Sequence, residues 1–357
     1  MDYNKDFVIL SFIKTFNWRF VLNLKEEIIK LKEELDVTLV AHFYQRDEVF
    51  ELADITGDSL ELAKRAKATD SKFIVFCGVG FMGESVKVMS PEKTVLMPKI
   101  ACCAMARMID EGYYEENLVK INEAGISNDD ILPITYINSS AAVKARVGKM
   151  GGMVCTSSNA YKIIEKGLKS GKKIFFVPDR CLGQNFAKSL NLKSAIVGDG
   201  SDLKEADIIC YNGFCSVHQQ FTVEDIEFYR EKYPDILIAV HPECDPKVCD
   251  ASDFVGSTSQ LITYIKELPE DQKVAVGTEF NMVNRLRTKN TYILSSTKPE
   301  CPTMNETTLQ DVYNTLKSIK DDNIIKETEI VVSEENIKYA RLALERMFEV
   351  WLILKSL

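Results

Sequence analysis

The sequence predicts an α/β protein of parallel sheets covered by helices, in which one structural unit occurs three times. Three observations carry this reading. Short runs rich in β-branched and aromatic residues alternate with helix-period stretches along most of the chain. The same order of signals recurs three times: a strand with polar residues at its end, a hydroxyl cluster at a helix start, a second strand, and later a cysteine. Two of the intervals nearly agree, 61 positions from His42 to Cys103 and 60 from His241 to Cys301, and the middle one is longer, 77 from Asn138 to Cys215.

Taken in order, the opening MDYNKDFVILSFIKTFNWRFVLNL is partly apolar, but it has no basic n-region and is interrupted by Lys14, Asn17 and Arg19. It reads as a packed or peripheral helix, neither signal peptide nor membrane span, and residues 1–23 are set apart as an N-terminal extension. The first domain, 24–107, contains VTLVAHFYQ as a strand, SLELAKRAKA as a helix and KFIVFCG as a strand. The second, 108–218, repeats the pattern in ILPITYINSS, NAYKIIEKGLKSG and KIFFVPD. Its extra length is assigned to a Gly/Asp-containing insertion near 193–208, which reads as a loop. The third, 219–303, carries DILIAVHPEC, SQLITYIKEL and QKVAVGTEF. Residues 304–357 form a C-terminal helical segment expected to pack back on the first domain. Three such units around an axis would aim three strand ends at one centre, where ligands of open α/β sheets collect.

Composition narrows the function. With 46% apolar and 27% charged residues over 357 positions, the chain is an ordinary globular one. Its net charge of −9 and the lack of a basic run with interleaved aromatics argue against nucleic acid and acidic membrane surfaces as partners. Ten cysteines in a long chain without a secretory leader place it in the reducing cytoplasm, where thiols bind metal, act in catalysis or are simply buried.

All three histidines fall in the repeated motifs: His42 in VAHFYQ, His218 in NGFCSVH and His241 in AVHPEC. With Tyr44 and Glu243 they are candidate proton donors and acceptors. Ser59, Ser157, Ser158, Thr258 and Ser259 stand where helices begin, as N-caps or as an anion cradle. Cys103, Cys215 and Cys301 are either apolar core thiols or ligands. Three thiolates on a four-iron cluster would leave one iron with an exchangeable position and Lewis-acid character. Two other signals are weak. GVGFMG, 78–83, fits a dinucleotide fingerprint but lacks the acidic residue about twenty positions on. HPEC begins like a zinc-deaminase motif, but Cys244 and Cys249 have neither the spacing nor the proline that motif requires.

The assembled motifs resemble the quinolinate synthetase A family of bacterial and archaeal NAD biosynthesis. The resemblance rests on VAHFYQRDEVFELADITGDSLELAKRA, FIVFCGVGFMGESVKVMSPEKTVLMP, CAMA, YINSSAAVKA, CTSSNA, FVPDRCLGQN, NGFCSVH, HPEC, GSTSQLI, VGTEFNMVNRL and KPECPTMNETTL, in family order from about residue 24 onward. It implies three homologous three-layer αβα domains around a pseudo-threefold axis, with the active site at their junction. It further implies a [4Fe–4S] cluster on Cys103, Cys215 and Cys301. The implied reaction condenses iminoaspartate with dihydroxyacetone phosphate, releasing phosphate and water, with an L-aspartate oxidase or aspartate dehydrogenase as imine supplier. His42 and His241 would bind substrate and take part in catalysis, Tyr44 would assist proton movement, and Glu243 would be the base for a dehydration. Ser59, Tyr136, Asn138, Ser157 and Thr258 would contact carboxylates or phosphate, with His218 at the cluster end. The sequence departs from the family pattern at Gly80, where many members have histidine, and at Met304, where some have a second cysteine. Cys102 adjoins a proposed ligand. A non-catalytic iron–sulfur sensor of the same fold and a zinc hydrolase or deaminase are the alternative readings.

Overall fold

In the computed structural model, which describes residues 22–355, thirteen strands form three separate parallel sheets. The first contains β1 (Val37–His42), β2 (Ile55–Gly57), β3 (Phe73–Cys77) and β4 (Thr94–Leu96), in the order β2-β1-β3-β4. The second contains β5 (Ile131–Tyr136), β6 (Met153–Cys155), β7 (Lys173–Val177), β8 (Ser194–Ile196) and β9 (Ile208–Cys210), in the order β6-β5-β7-β9-β8. The third, β10 (Leu237–Val240), β11 (Phe254–Val255), β12 (Val274–Gly277) and β13 (Thr291–Ile293), repeats the first as β11-β10-β12-β13.

Each sheet is covered on both faces, which is why VTLVAH, KIFFV and VAVG are nearly continuous apolar runs instead of alternating ones. Successive residues serve opposite layers. In the third unit Ile238, Val240 and Ala275 pack on one side, and Ala239, Val274 and Val276 on the other. The first unit divides the same way, with Val40, Ile74 and Phe76 facing one cluster and Leu39, Ala41 and Val75 another. The chain is thus three three-layer αβα units arranged in pseudo-threefold fashion.

In each unit the chain leaves the first strand for one neighbour and returns to the other side for the third strand. The first and third strands therefore flank a topological switch point, and their carboxyl ends open a crevice there.

Two expectations change. The insertion near 193–208 is not all loop: Ser194–Ile196 forms β8, which pairs with β9 as an extra edge strand because Ala195 and Val197 find buried apolar sites. The C-terminal segment does not pack only on the first domain. Helix Leu309–Lys320 lies on the first unit, where Val312 and Leu316 meet the cluster around Leu39 and Val75. Helix Glu334–Lys355 instead lies mainly against helix Ala141–Lys149 and β6 of the second unit, and touches helix Gly80–Met89 of the first. The proposed helix in the opening residues falls outside the described part, apart from the start of a helix over 22–35. Among the described residues no helix is long and apolar enough to cross a membrane.

Candidate active site

The three crevices converge on one cavity. β1 delivers His42 and, after a short turn, Tyr44; β5 delivers Tyr136 and Asn138; the end of β10 delivers His241 and Glu243. All six line the cavity together with His218.

A local device orients two of the histidines. The backbone N–H of Tyr44 donates to His42 Nδ1 at 3.1 Å, and that of Glu243 donates to His241 Nδ1 at 3.3 Å. Because Nδ1 accepts in both rings, the neutral imidazole carries its hydrogen on Nε2. Burial lowers His42 to about 4 and His241 to about 3, so both rings are neutral at physiological pH.

Glu243 is the centre of a hydrogen-bonded chain. Tyr136 donates its hydroxyl to Oε1 at 2.7 Å, and His218 Nδ1 lies 3.0 Å from Oε2. Burial alone would raise the Glu243 carboxyl. The adjacent His218 and His241 rings, with hydrogen bonds from His218 and Tyr136, outweigh it and hold the group low and ionised. The chain continues from His218 Nε2 to the Thr278 hydroxyl (3.0 Å), from there to the Tyr44 hydroxyl (3.2 Å), and from Tyr44 to the Thr258 hydroxyl (3.0 Å). Burial pushes the Tyr44 phenol strongly upward, so Tyr44 remains a hydroxyl that can pass a proton along this line.

The hydroxyl clusters separate into caps and cavity groups. Helix Ser59–Ala68 is capped by Asp58, whose Oδ1 accepts the Glu61 N–H at 3.0 Å, and helix Thr258–Glu267 is capped by Ser257 through a capping box with Gln260. Ser59 and Thr258 are therefore not the capping groups, and with Ser157 they line the cavity. Ser158 and Ser259 both donate to Asp58 Oδ2, at 3.3 and 2.6 Å, which joins the three units at these helix starts.

The three cysteines reach the cavity by one repeated construction. Just beyond each third strand, a backbone N–H bonds the carbonyl two residues before the thiol. Gly80 N–H bonds Ala101 O (2.8 Å) before Cys103, Arg180 N–H bonds Gly213 O (2.9 Å) before Cys215, and Phe280 N–H bonds Pro299 O (2.9 Å) before Cys301. No fourth cysteine is among the cavity's lining residues. Cys102 is exposed and outside the lining, and Cys181, Cys244 and Cys249 are buried away from it. Burial pushes all three cavity thiols up, Cys103 to about 12, so thiolates there require a compensating cation.

Among the described residues, the donors close enough to share one ion are Cys215, His218 and Glu243, within 4.8 Å of one another. Both His218 nitrogens and both Glu243 oxygens are already engaged in the hydrogen-bonded chain, so that trio is a poor ligand set for zinc. Cys103, Cys215 and Cys301 do not form so tight a trio; one thiol from each unit around a shared cavity suits a polynuclear cluster better than a single ion.

The sequence reading gave no role to Thr278, Glu279 or Thr156, although they stand in VGTEFNMVNRL and CTSSNA. Thr278 and Glu279 follow β12, where the third strand opens its crevice. Glu279 is buried, pushed up to about 8 by that burial, and accepts the Cys301 N–H at 3.3 Å. Thr156 presents a buried hydroxyl with no protein partner to the cavity. Gly80 is not among the lining residues, while its neighbours Val79, Phe81 and Met82 are. In GVGFMG, a Cβ on Gly83 would come within 2.6 Å of Met97 Sδ and one on Gly78 within 2.7 Å of the Phe76 ring, so these two glycines serve packing.

The comparisons with known proteins agree. A model of the family described as quinolinate synthetase A protein matches residues 26–349. The quinolinate synthase of Helicobacter pylori (strain HPAG1) is 57% identical over 333 residues, covering 92% of this chain and 98% of the relative. Those of Acidobacterium capsulatum and Streptomyces coelicolor are 39% and 38% identical, covering 87% and 88% of this chain and 88% and 85% of the relatives. The chain belongs to the quinolinate synthetase A protein family, whose named members are enzymes.

Proposed function

We propose that this enzyme condenses iminoaspartate with dihydroxyacetone phosphate to quinolinate, releasing phosphate and water, in the cytoplasm. The observation that carries the reading is the unbroken hydrogen-bonded chain from Tyr136 through Glu243, His218, Thr278 and Tyr44 to Thr258, bordering the one cavity that the three thiols also line, with Cys215 within 4.8 Å of His218 and Glu243. Cys103, Cys215 and Cys301 would hold a [4Fe–4S] cluster that supplies Lewis-acid chemistry to a substrate hydroxyl or carboxylate. The division at 24–107, 108–218 and 219–303 belongs to the same proposal, as does supply of the imine by an aspartate oxidase or dehydrogenase.

The protein's own residues account for the remaining needs. No lysine or arginine lines the cavity among the described residues, so the substrates' anionic groups are met by neutral donors. His42 and His241 offer Nε2–H, Ser59, Ser157 and Thr258 offer hydroxyls near helix N-termini, and Asn138 offers an amide. Ionised Glu243 takes a proton during dehydration, and His218 and Tyr136 fix its two oxygens. Tyr44 returns protons through Thr278. The steps require no external oxidant or reductant.

The test is anaerobic purification with iron and sulfide quantitation and a quinolinate assay. Cys301→Ala is expected to abolish both the brown chromophore and turnover, while Cys249→Ala keeps both. A colourless, zinc-loaded wild type would sink the reading.

A further inference from the structure

We propose that three side chains outside the reacting set, Arg285, Asn185 and Lys144, act as carbonyl clamps that aim Tyr44, Glu243 and Asn138 into the cavity. These three targets occupy one repeated position, two residues beyond His42, His241 and Tyr136 at the ends of the first strands. In every case the clamp donates to the carbonyls immediately before and after the target. Arg285 Nη2 donates to Phe43 O and Nη1 to Gln45 O (2.8 Å), around Tyr44. Asn185 Nδ2 donates to Pro242 O (2.8 Å) and Cys244 O (2.9 Å), around Glu243. Lys144 Nζ donates to Ile137 O (2.8 Å) and Ser139 O, around Asn138. Holding both flanking peptide planes fixes the backbone of the residue between them, and so the direction of its side chain.

The clamps follow the pseudo-symmetry. Asn185 and Arg285 stand at the same place on equivalent helices, six residues after the caps Asp179 and Glu279. Each reaches into a neighbouring unit: Arg285 from the third to the first, Asn185 from the second to the third. The equivalent residue of the first unit is Ser85, whose hydroxyl is spent on Phe81 O (2.7 Å) in its own helix. Lys144, from within the second unit, replaces the missing clamp. It is fully buried over the Phe81 ring (5.4 Å), and Glu84 of the first unit accepts the Ala141 N–H at 2.6 Å beside it. Arg285 is itself steadied by Asp47 at 2.8 Å. The turns at Tyr44 and Glu243 are thus set only when the units are docked on one another, whereas the turn at Asn138 is held from inside its own unit.

The kinetic arm of the test rests on the proposed reaction; a hydrogen-exchange arm does not. Asn185→Ala is expected to speed amide exchange in 241–245, and Arg285→Gln in 42–46, each confined to its own turn. Turnover should fall by about tenfold to a hundredfold, with iron content unchanged, as positioning losses do. In a double-mutant cycle, Arg285→Gln should cost little once Tyr44→Phe is present, whereas a merely structural role gives additive losses. Arg285→Lys, which retains a cationic donor, should recover part of the turnover. If Lys144→Met does not fold, the other two variants decide. Unchanged exchange in the clamped turns, or additivity in the cycle, would overturn the clamps. A wild type that makes no quinolinate while exchange responds as stated would remove the reaction and keep the clamps.

Discussion

Two imidazoles in this cavity are kept neutral by burial and are given their tautomer by the amide two residues on, so they are built to donate from Nε2 and not to carry charge. Three histidines in the chain make this measurable by ring-carbon NMR. His42 and His241 should titrate near pH 4 and 3, well below an ordinary histidine. Both folded-state values lie below the unfolded one of about 6.5, so between about pH 6.5 and 4 the unfolded chain binds more protons. Their contribution to stability is therefore full above about 6.5 and is lost as pH falls through that window. Titration near 6.5 in the folded protein would contradict the buried, neutral assignment. Glu243 belongs to the same scale. Glu243→Gln keeps the size of the side chain but removes the proposed base and one of the two acceptor oxygens that Tyr136 and His218 use. It should retain iron and lose about a hundredfold or more in turnover, the usual worth of a general base. Normal turnover in that variant would show that another group takes the proton.

At the scale of elements, the repeated hydroxyl clusters become intelligible only with their caps. Ser and Thr at helix starts are ordinary capping residues, and only their threefold recurrence beside polar strand ends favours an anion cradle in the sequence. Because Asp58 and Ser257 take the capping bonds, Ser59 and Thr258 remain for the cavity. The last helix is the element least foreseen. Glu334–Lys355 crosses helix Ala141–Lys149 so closely that a Cβ on Gly148 would come within 2.0 Å of Tyr339 O, a backbone atom that cannot rotate away. Gly148→Ala should therefore push the two helices apart at a cost of about 1–3 kcal/mol, as overpacking does, and lower the melting temperature. An unchanged melting curve would mean that the final helix is not held this tightly.

For the whole molecule, three units supply one thiol each to a shared cavity, so whatever the thiols hold links all three. A ligand bound only by the folded form stabilises that form by mass action. If the thiols hold the proposed cluster, removing iron and sulfide under chelation should lower the melting temperature while leaving far-UV circular dichroism near its starting value, because the sheets are buried in four large apolar clusters, one of them shared by the first and second units. Loss of helix and strand signal on chelation would instead place the proposed cluster among the determinants of the fold.

The sequence by itself determined the α/β class and the threefold repetition, named thirteen polar and thiol groups that all line one cavity, and carried the family resemblance, because strand runs, helix starts and motif spacings are local properties of a chain. It did not reveal Thr278 as the link between His218 and Tyr44, the clamps behind Tyr44, Asn138 and Glu243, the edge strand inside the insertion, or the resting place of the final helix. Thr278, the clamps on Tyr44 and Glu243 and the final helix depend on atoms that meet across unit boundaries, and the Lys144 clamp and the edge strand on packing inside the second unit. His218 and Thr278 lie 60 positions apart and Arg285 and Gln45 lie 240 apart, and no local spacing encodes such a contact.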